Sequence, residues 1–128
     1  MRLLLDTNAF IHAVNGSLPS RLERRLLKST TELLVSIVTP WEIVIKPQLR
    51  KAGFTSDLVE AKIAEMGARL LSITVPHTAE LYVLPPHHND PFDRMLIAQA
   101  LTEDCPIVSG DQRFPLYASA GLKVLWDD

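Results

Sequence analysis

Four acidic residues stand at places where a chain can do chemistry: Asp6, Glu42, Asp93 and Asp111. Asp6 follows the apolar run "RLLL" and opens the helical pattern "TNAFIHAV", and Asp111 follows "PIVSG". Glu42 and Asp93 share a local pattern, "TPWE" and "DPFD": a cap residue, a proline, an aromatic and an acid. Around Asp93, the residues Phe92, Leu96, Ile97, Ala100 and Leu101 recur at helical spacing and mark a face to be buried. Asp93 lies one turn before Leu96 and Ile97, on that same arc. Burying an unpaired carboxylate is costly enough to need a compensating reason. If the four acids meet at one place, their mutual repulsion demands a cation. Hard oxygen ligands without clustered Cys or His suit Mg2+ or Mn2+ rather than zinc. A site of that kind polarises a phosphodiester and lowers the pKa of a bound water for in-line attack.

Each acid also has a plainer role. Thr39 with Glu42 reads as a capping box, and an acid in the first turn suits the helix dipole. For Glu42 the capping and ligand readings both stand. Asp90 reads as the N-cap of the helix beginning at Pro91 and is an additional candidate for ligand contact. Asp6 and Asp111 follow strands, where Asp is a common cap.

The elements that would position these acids alternate. Short apolar runs at 2–5, 33–38, 70–75, 106–109 and 123–126 read as strands, several rich in Val and Ile. Amphipathic stretches at 7–15, 20–30, 40–50, 57–69, 77–84 and 91–103 read as helices, with a weak turn near 114–119. Strand alternating with helix is the signature of an α/β domain with a largely parallel sheet. In such sheets ligands collect beyond the carboxyl ends of the strands, which is where Asp6 and Asp111 stand.

A length of 128 residues fits one domain spanning 1–128, able to bury roughly two-thirds of its unfolded surface. The net charge of −2 gives no global basic signal, so a polyanionic substrate has to be met by local basic patches or metal ions. The single Cys105 excludes a disulfide within the chain and suits a reducing cytoplasm. The opening "MRLLLDTNAF" is too short an apolar run for a signal peptide or membrane span, and no other run reaches spanning length.

"LLLDTN", "WEIVIK", "DPFDRMLIAQA" and "VSGDQRF" together closely resemble the PIN-domain ribonucleases, in particular the VapC toxins of bacterial toxin–antitoxin pairs. The likeness spans nearly the whole chain in the right order, each motif carrying its acid. The resemblance implies a three-layer α/β/α sandwich around a mostly parallel sheet and a metal-dependent endonuclease acting on RNA with Mg2+ or Mn2+. It also implies a cognate VapB-like antitoxin whose tail fills the active groove, and a homodimer within the larger complex. It assigns metal-site and catalytic roles to Asp6, Glu42, Asp93 and Asp111, and gives Thr7, Asn8 and Ser109 the task of orienting the acids or their waters. Two departures stand out. Gly110 replaces a larger residue before the last acid, which should loosen that loop. Pro47 interrupts a helix that is usually continuous, so a break is expected near Lys46.

Basic residues cluster at 21–28 and 46–51, and the first run reads as a solvated face. Lys46, Arg94 and Arg113 are candidates for contact with RNA phosphate, and Arg94 and Arg113 equally for neutralising the acid cluster. His87 and His88 lie in a Pro-rich loop and read as surface residues, and His12 as a partly buried helix residue. Trp41, Phe92 and Trp126 read as core, and Cys105 as a small buried hydrophobe. Two other functions fit parts of the pattern. A phosphohydrolase using Asp6 as nucleophile needs a second Asp close behind it, and "DTNAF" has none. A non-catalytic PIN-like binding module would show a lost acid, and all four are present.

Overall fold

The structure, a computed structural model, describes residues 1–126. Five strands, β1 (Arg2–Leu5), β2 (Glu32–Ser36), β3 (Arg69–Leu71), β4 (Ile107–Val108) and β5 (Val124–Leu125), form one sheet in the order β3-β2-β1-β4-β5. Every neighbouring pair is parallel. Parallel pairing requires crossovers, and helices supply them: α1 (Thr7–Asn15), α2 (Ser20–Leu26), α3 (Val38–Ile45), α4 (Pro47–Lys51), α5 (Ser56–Glu65), α6 (Val75–Tyr82) and α7 (Pro91–Glu103), with a 3-10 helix at Phe114–Ala120.

The strand residues alternate between two cores, as the two-residue period of a strand dictates. Leu4, Leu34 and Ile107 pack with Leu96, Ile97 and Tyr117 on the face covered by α7 and the 3-10 helix. Leu3, Leu5, Val35 and Val108 pack with Phe10, Leu22, Val59 and Ile63 on the face covered by α1, α2 and α5. The expected three-layer α/β/α arrangement is therefore present, with a wholly parallel sheet. Leu22 and Leu26 turn inward while Arg21 and Arg24 face water, so the basic run at 21–28 is a solvated helix face.

Local chemistry sets the element ends. The break anticipated near Lys46 is present: α3 ends at Ile45, Lys46 is extended with ψ 111°, and Pro47 starts α4. The residue before a proline is pushed out of helical geometry, which accounts for Lys46. The capping-box reading of Thr39 and Glu42 is overturned. The helix begins at Val38, whose N–H donates to Ser36 Oγ at 3.0 Å, so Thr39 already lies inside it. The loosening expected at Gly110 is also overturned. A Cβ there would lie 2.8 Å from the Trp126 ring, so Gly110 permits close packing rather than slack. Among the described residues no helix is long and apolar enough to cross a membrane.

The chain builds outward from β1 through β2 to β3, then returns to the other side of β1 for β4 and β5. The strand order thus reverses between β1 and β4. In open α/β sheets the crevice at that switch point is where ligands bind.

Candidate active site

Asp6 and Asp111 leave the sheet at this crevice, because β1 and β4 pair there with Leu5 opposite Val108. Asp6 caps α1, its Oδ1 accepting from the Ala9 N–H at 2.7 Å. It is buried, and burial raises its pKa to about 6 against the lowering effect of the Ser109 hydroxyl and the Ala9 amide. The charges of Glu42 and Asp111 push in the same upward direction, which places the three acids within electrostatic reach of one another.

Glu42 enters from α3 and is buried. Its Oε1 accepts from the Thr7 hydroxyl at 2.6 Å, and its Oε2 accepts from Lys46 Nζ, also at 2.6 Å. The same ammonium reaches Asp90 Oδ2 at 2.8 Å, because the kink at Pro47 leaves Lys46 outside the helix and near α7. Asp90 caps α7 as expected, accepting from the N–H groups of Phe92 and Asp93 at 2.8 and 3.2 Å. Burial alone would raise the Asp90 pKa, but Lys46 and these two amides hold it below the usual carboxylate value.

Asp93, one turn into α7, has a half-buried side chain facing this cluster. Burial, with the charges of Asp90, Glu42 and Asp6, raises its pKa to about 7, and Lys46 opposes them. Asp111 is the opposite case. Burial would raise it, but the Arg113 backbone N–H at 2.8 Å, the Arg113 guanidinium and His88 hold it at about 2. Ser109, buried, accepts from the Asp111 N–H at 3.1 Å and so shapes the turn after β4. Asn8 is exposed and lines a shallow cleft with His12, Gly110, Asp111, Arg113 and Trp126.

The four acids expected from the sequence therefore converge, with Thr7, Ser109 and Lys46 between them. Other expectations fare differently. Arg94 turns to the backbone instead: its guanidinium donates to the carbonyls of Pro85 and Leu84 at 2.9 and 3.1 Å. It ties down the loop before α7. Lys46 is engaged by two carboxylates, whereas Arg113 grips Asp111 with its side chain still half exposed. Trp41 is 49% exposed rather than core, resting edge-on against Phe92. Cys105 and Phe92 are buried and Trp126 half-buried. His12 is exposed rather than partly buried.

The residue missed by sequence reasoning is His88. It is buried, with Nε2 lying 3.0 Å from Asp111 Oδ2 and 3.1 Å from Asp93 Oδ2. These three ligand-type groups lie within 4.8 Å of one another. One local signal was available: a His two residues before an N-cap can accept that cap's N–H, which turns the ring toward the helix.

The sequence model of the PIN domain matches residues 3–120. Comparison with curated proteins gives no significant match. Among solved structures, the chain is similar to one in DNA-bound VapBC from Salmonella typhimurium, at 16% identity and TM-score 0.71 over 98% of this chain and 97% of that one. It is also similar to one in VapBC2 from Rickettsia felis bound to a DNA fragment from their promoter, at 14% identity and TM-score 0.70 over 98% of each. FitAcB from Neisseria gonorrhoeae matches at 18% identity and TM-score 0.65 over 96% of each. At these identities the likeness is one of fold.

Proposed function

The chain belongs to the PIN-domain family, and from that premise we propose that it is a metal-dependent endoribonuclease, the toxin of a VapBC-type toxin–antitoxin pair acting in the cytoplasm. The observation that carries this reading is the convergence of Asp6, Glu42, Asp93 and Asp111 at the reversal of strand order. The donor set fits a hard divalent cation. It is carboxylate oxygen throughout, and among the described residues no backbone or hydroxyl donor is hydrogen-bonded to the Asp93 carboxylate. Asp6, Asp93 and Asp111 would hold Mg2+ or Mn2+, with Glu42 at the flank nearest Lys46. When bound, the ion supplies charge for the phosphodiester in its transition state and a more acidic water.

The chain's own residues do the rest. Thr7 and Lys46 fix the two oxygens of Glu42, and the Ala9 amide fixes Asp6, so the carboxylates are aimed before substrate arrives. Asp93 holds a proton near neutrality and must release it for a cation to enter. The exposed guanidinium of Arg113, beside Asp111, offers a contact for RNA phosphate. Several structural relatives are complexes named as VapBC or FitAB, and this supports a VapB-like antitoxin as partner; a homodimer at the centre of the assembly is part of the same proposal. An Arg-bearing antitoxin tail suits the acidic mouth, because a guanidinium can bridge two carboxylates.

The test is cleavage of labelled RNA by the purified chain with Mg2+ or Mn2+. Cleavage abolished by EDTA and restored by excess metal is the expected result. RNA binding without cleavage under any metal would favour a non-catalytic module instead.

A further inference from the structure

His88 has no part in a four-carboxylate site, yet its ring is held at both nitrogens. Nδ1 lies 3.1 Å from the backbone N–H of Asp90. An amide N–H only donates, so Nδ1 presents its lone pair, and in a neutral imidazole the proton is then on Nε2. Nε2 lies between the Asp111 and Asp93 carboxylates, at 3.0 and 3.1 Å. By spacing alone the three groups could be three metal ligands. The tautomer separates the two readings. A metal ion takes the lone pair of a nitrogen, and Nε2 has none while the Asp90 amide occupies Nδ1.

The surroundings keep the ring in this pose. Phe114 packs edge-on against it with centroids 5.7 Å apart. The N–H groups of His87 and His88 both donate to Tyr117 Oη at 3.0 Å, and that hydroxyl donates to the Pro85 carbonyl at 2.7 Å. Arg94 binds the same carbonyl from α7. The loop of residues 85–88 is thus fastened to the 3-10 helix and to α7, and the ring has little room to flip.

We infer that His88 is a positioning residue whose Nε2–H holds the Asp111 carboxylate beside that of Asp93 while staying outside the metal's coordination. The contact also sorts the two acids: the N–H donates to Asp111 Oδ2, while Asp93 Oδ2 lies 3.1 Å from the same nitrogen as a charge neighbour. Asp111 has Arg113 as well, whereas among the described residues no donor is hydrogen-bonded to the Asp93 carboxylate, which keeps its lone pairs for a cation. The role toward metal rests on the proposed function above; the tautomer does not.

Long-range 1H–15N spectra of the metal-free protein labelled at histidine nitrogen test the tautomer, with the His88 signals assigned by their loss in His88→Gln. The expected result is a protonated-type Nε2 and an unprotonated-type Nδ1, unchanged by saturating Mg2+. A protonated-type Nδ1, or an Nε2 that shifts to a coordinated value with Mg2+, overturns the inference. Mn2+ titration supplies the second readout. His88→Gln, whose amide can still donate, should stay near wild-type affinity, and His88→Ala should lose about tenfold or more. Equal losses in the two variants, with both folded by circular dichroism, also overturn it. A wild-type protein that binds no Mn2+ refutes the metal reading of the acids, while the spectra still decide the tautomer.

Discussion

Asp93 and Asp111 flank the same imidazole and have opposite electrostatic fates. Asp111 is surrounded by donors and is held at about 2, whereas Asp93 meets mainly burial and other acids and is raised to about 7. The stability consequence has a definite sign. In the unfolded chain Asp93 ionises near 3.8. Between pH 4 and 7 the unfolded chain has therefore lost a proton that the fold retains. Unfolding free energy falls as pH rises through that window and is flat above it. At about 1.4 kcal/mol per pKa unit the penalty at pH 8 is on the order of 4 kcal/mol. Asp93→Asn removes the proton and the charge together. In EDTA it should match wild type near pH 4 and exceed it in urea stability at pH 8. Under the proposed function the same variant should cleave RNA roughly 100-fold or more slowly, because metal chemistry would need the charge that binds the ion. A stability difference that is the same at pH 4 and pH 8 would falsify the assignment of the raised pKa to Asp93.

The helices show what a sequence can and cannot reveal about a site. α1 and α7 have the bounds expected from period and caps, because Asp6, Asp90 and Pro91 act through neighbours two or three residues away. Pro47 likewise broke the helix where local sterics demanded. The start of α3 was misplaced because its first N–H is met by Ser36, at the end of a strand, and Thr39 turns instead to Thr7 from another element. His88 was misread for the same reason, since its buried pose depends on Phe114, Tyr117 and Asp111. Gly110 looked like slack because Trp126, which fills the space above it, lies 16 residues on and packs there only through the pairing of β4 with β5. Gly110→Ala should therefore destabilise by about 1–3 kcal/mol, the usual range for overpacking. Trp126→Leu in the same chain should recover part of the loss. Thermal unfolding of the two single variants and the double variant measures this coupling. Strictly additive losses would show that the two residues do not press on each other.

At the scale of the whole molecule, the parallel sheet brings together acids that repel one another, and the fold must carry that repulsion. Leu5 opposite Val108 fixes Asp6 beside the turn that bears Asp111, while α3 and α7 bring Glu42 and Asp93 from the flanks. Lys46 and Arg113 neutralise part of the charge, each already bound to an acid. If the remaining charge is met by Mn2+, metal binding and pH are linked through Asp6 and Asp93, with pKa values of about 6 and about 7. At pH 8 both are ionised and the ion displaces no proton from them. At pH 5 it must displace both, two pH units below one value and one unit below the other. Affinity should then fall by about a thousandfold, one decade per unit per proton. Millimolar Mn2+ should accordingly raise the melting temperature clearly at pH 8, since a ligand bound only by the fold stabilises it in proportion to RT ln(1 + [L]/Kd). At pH 5 the same addition should leave it almost unmoved. Calorimetry in EDTA and in excess Mn2+ at the two pH values makes the comparison. An equal rise at both would mean that the metal binds elsewhere, at groups that do not titrate between pH 5 and 8.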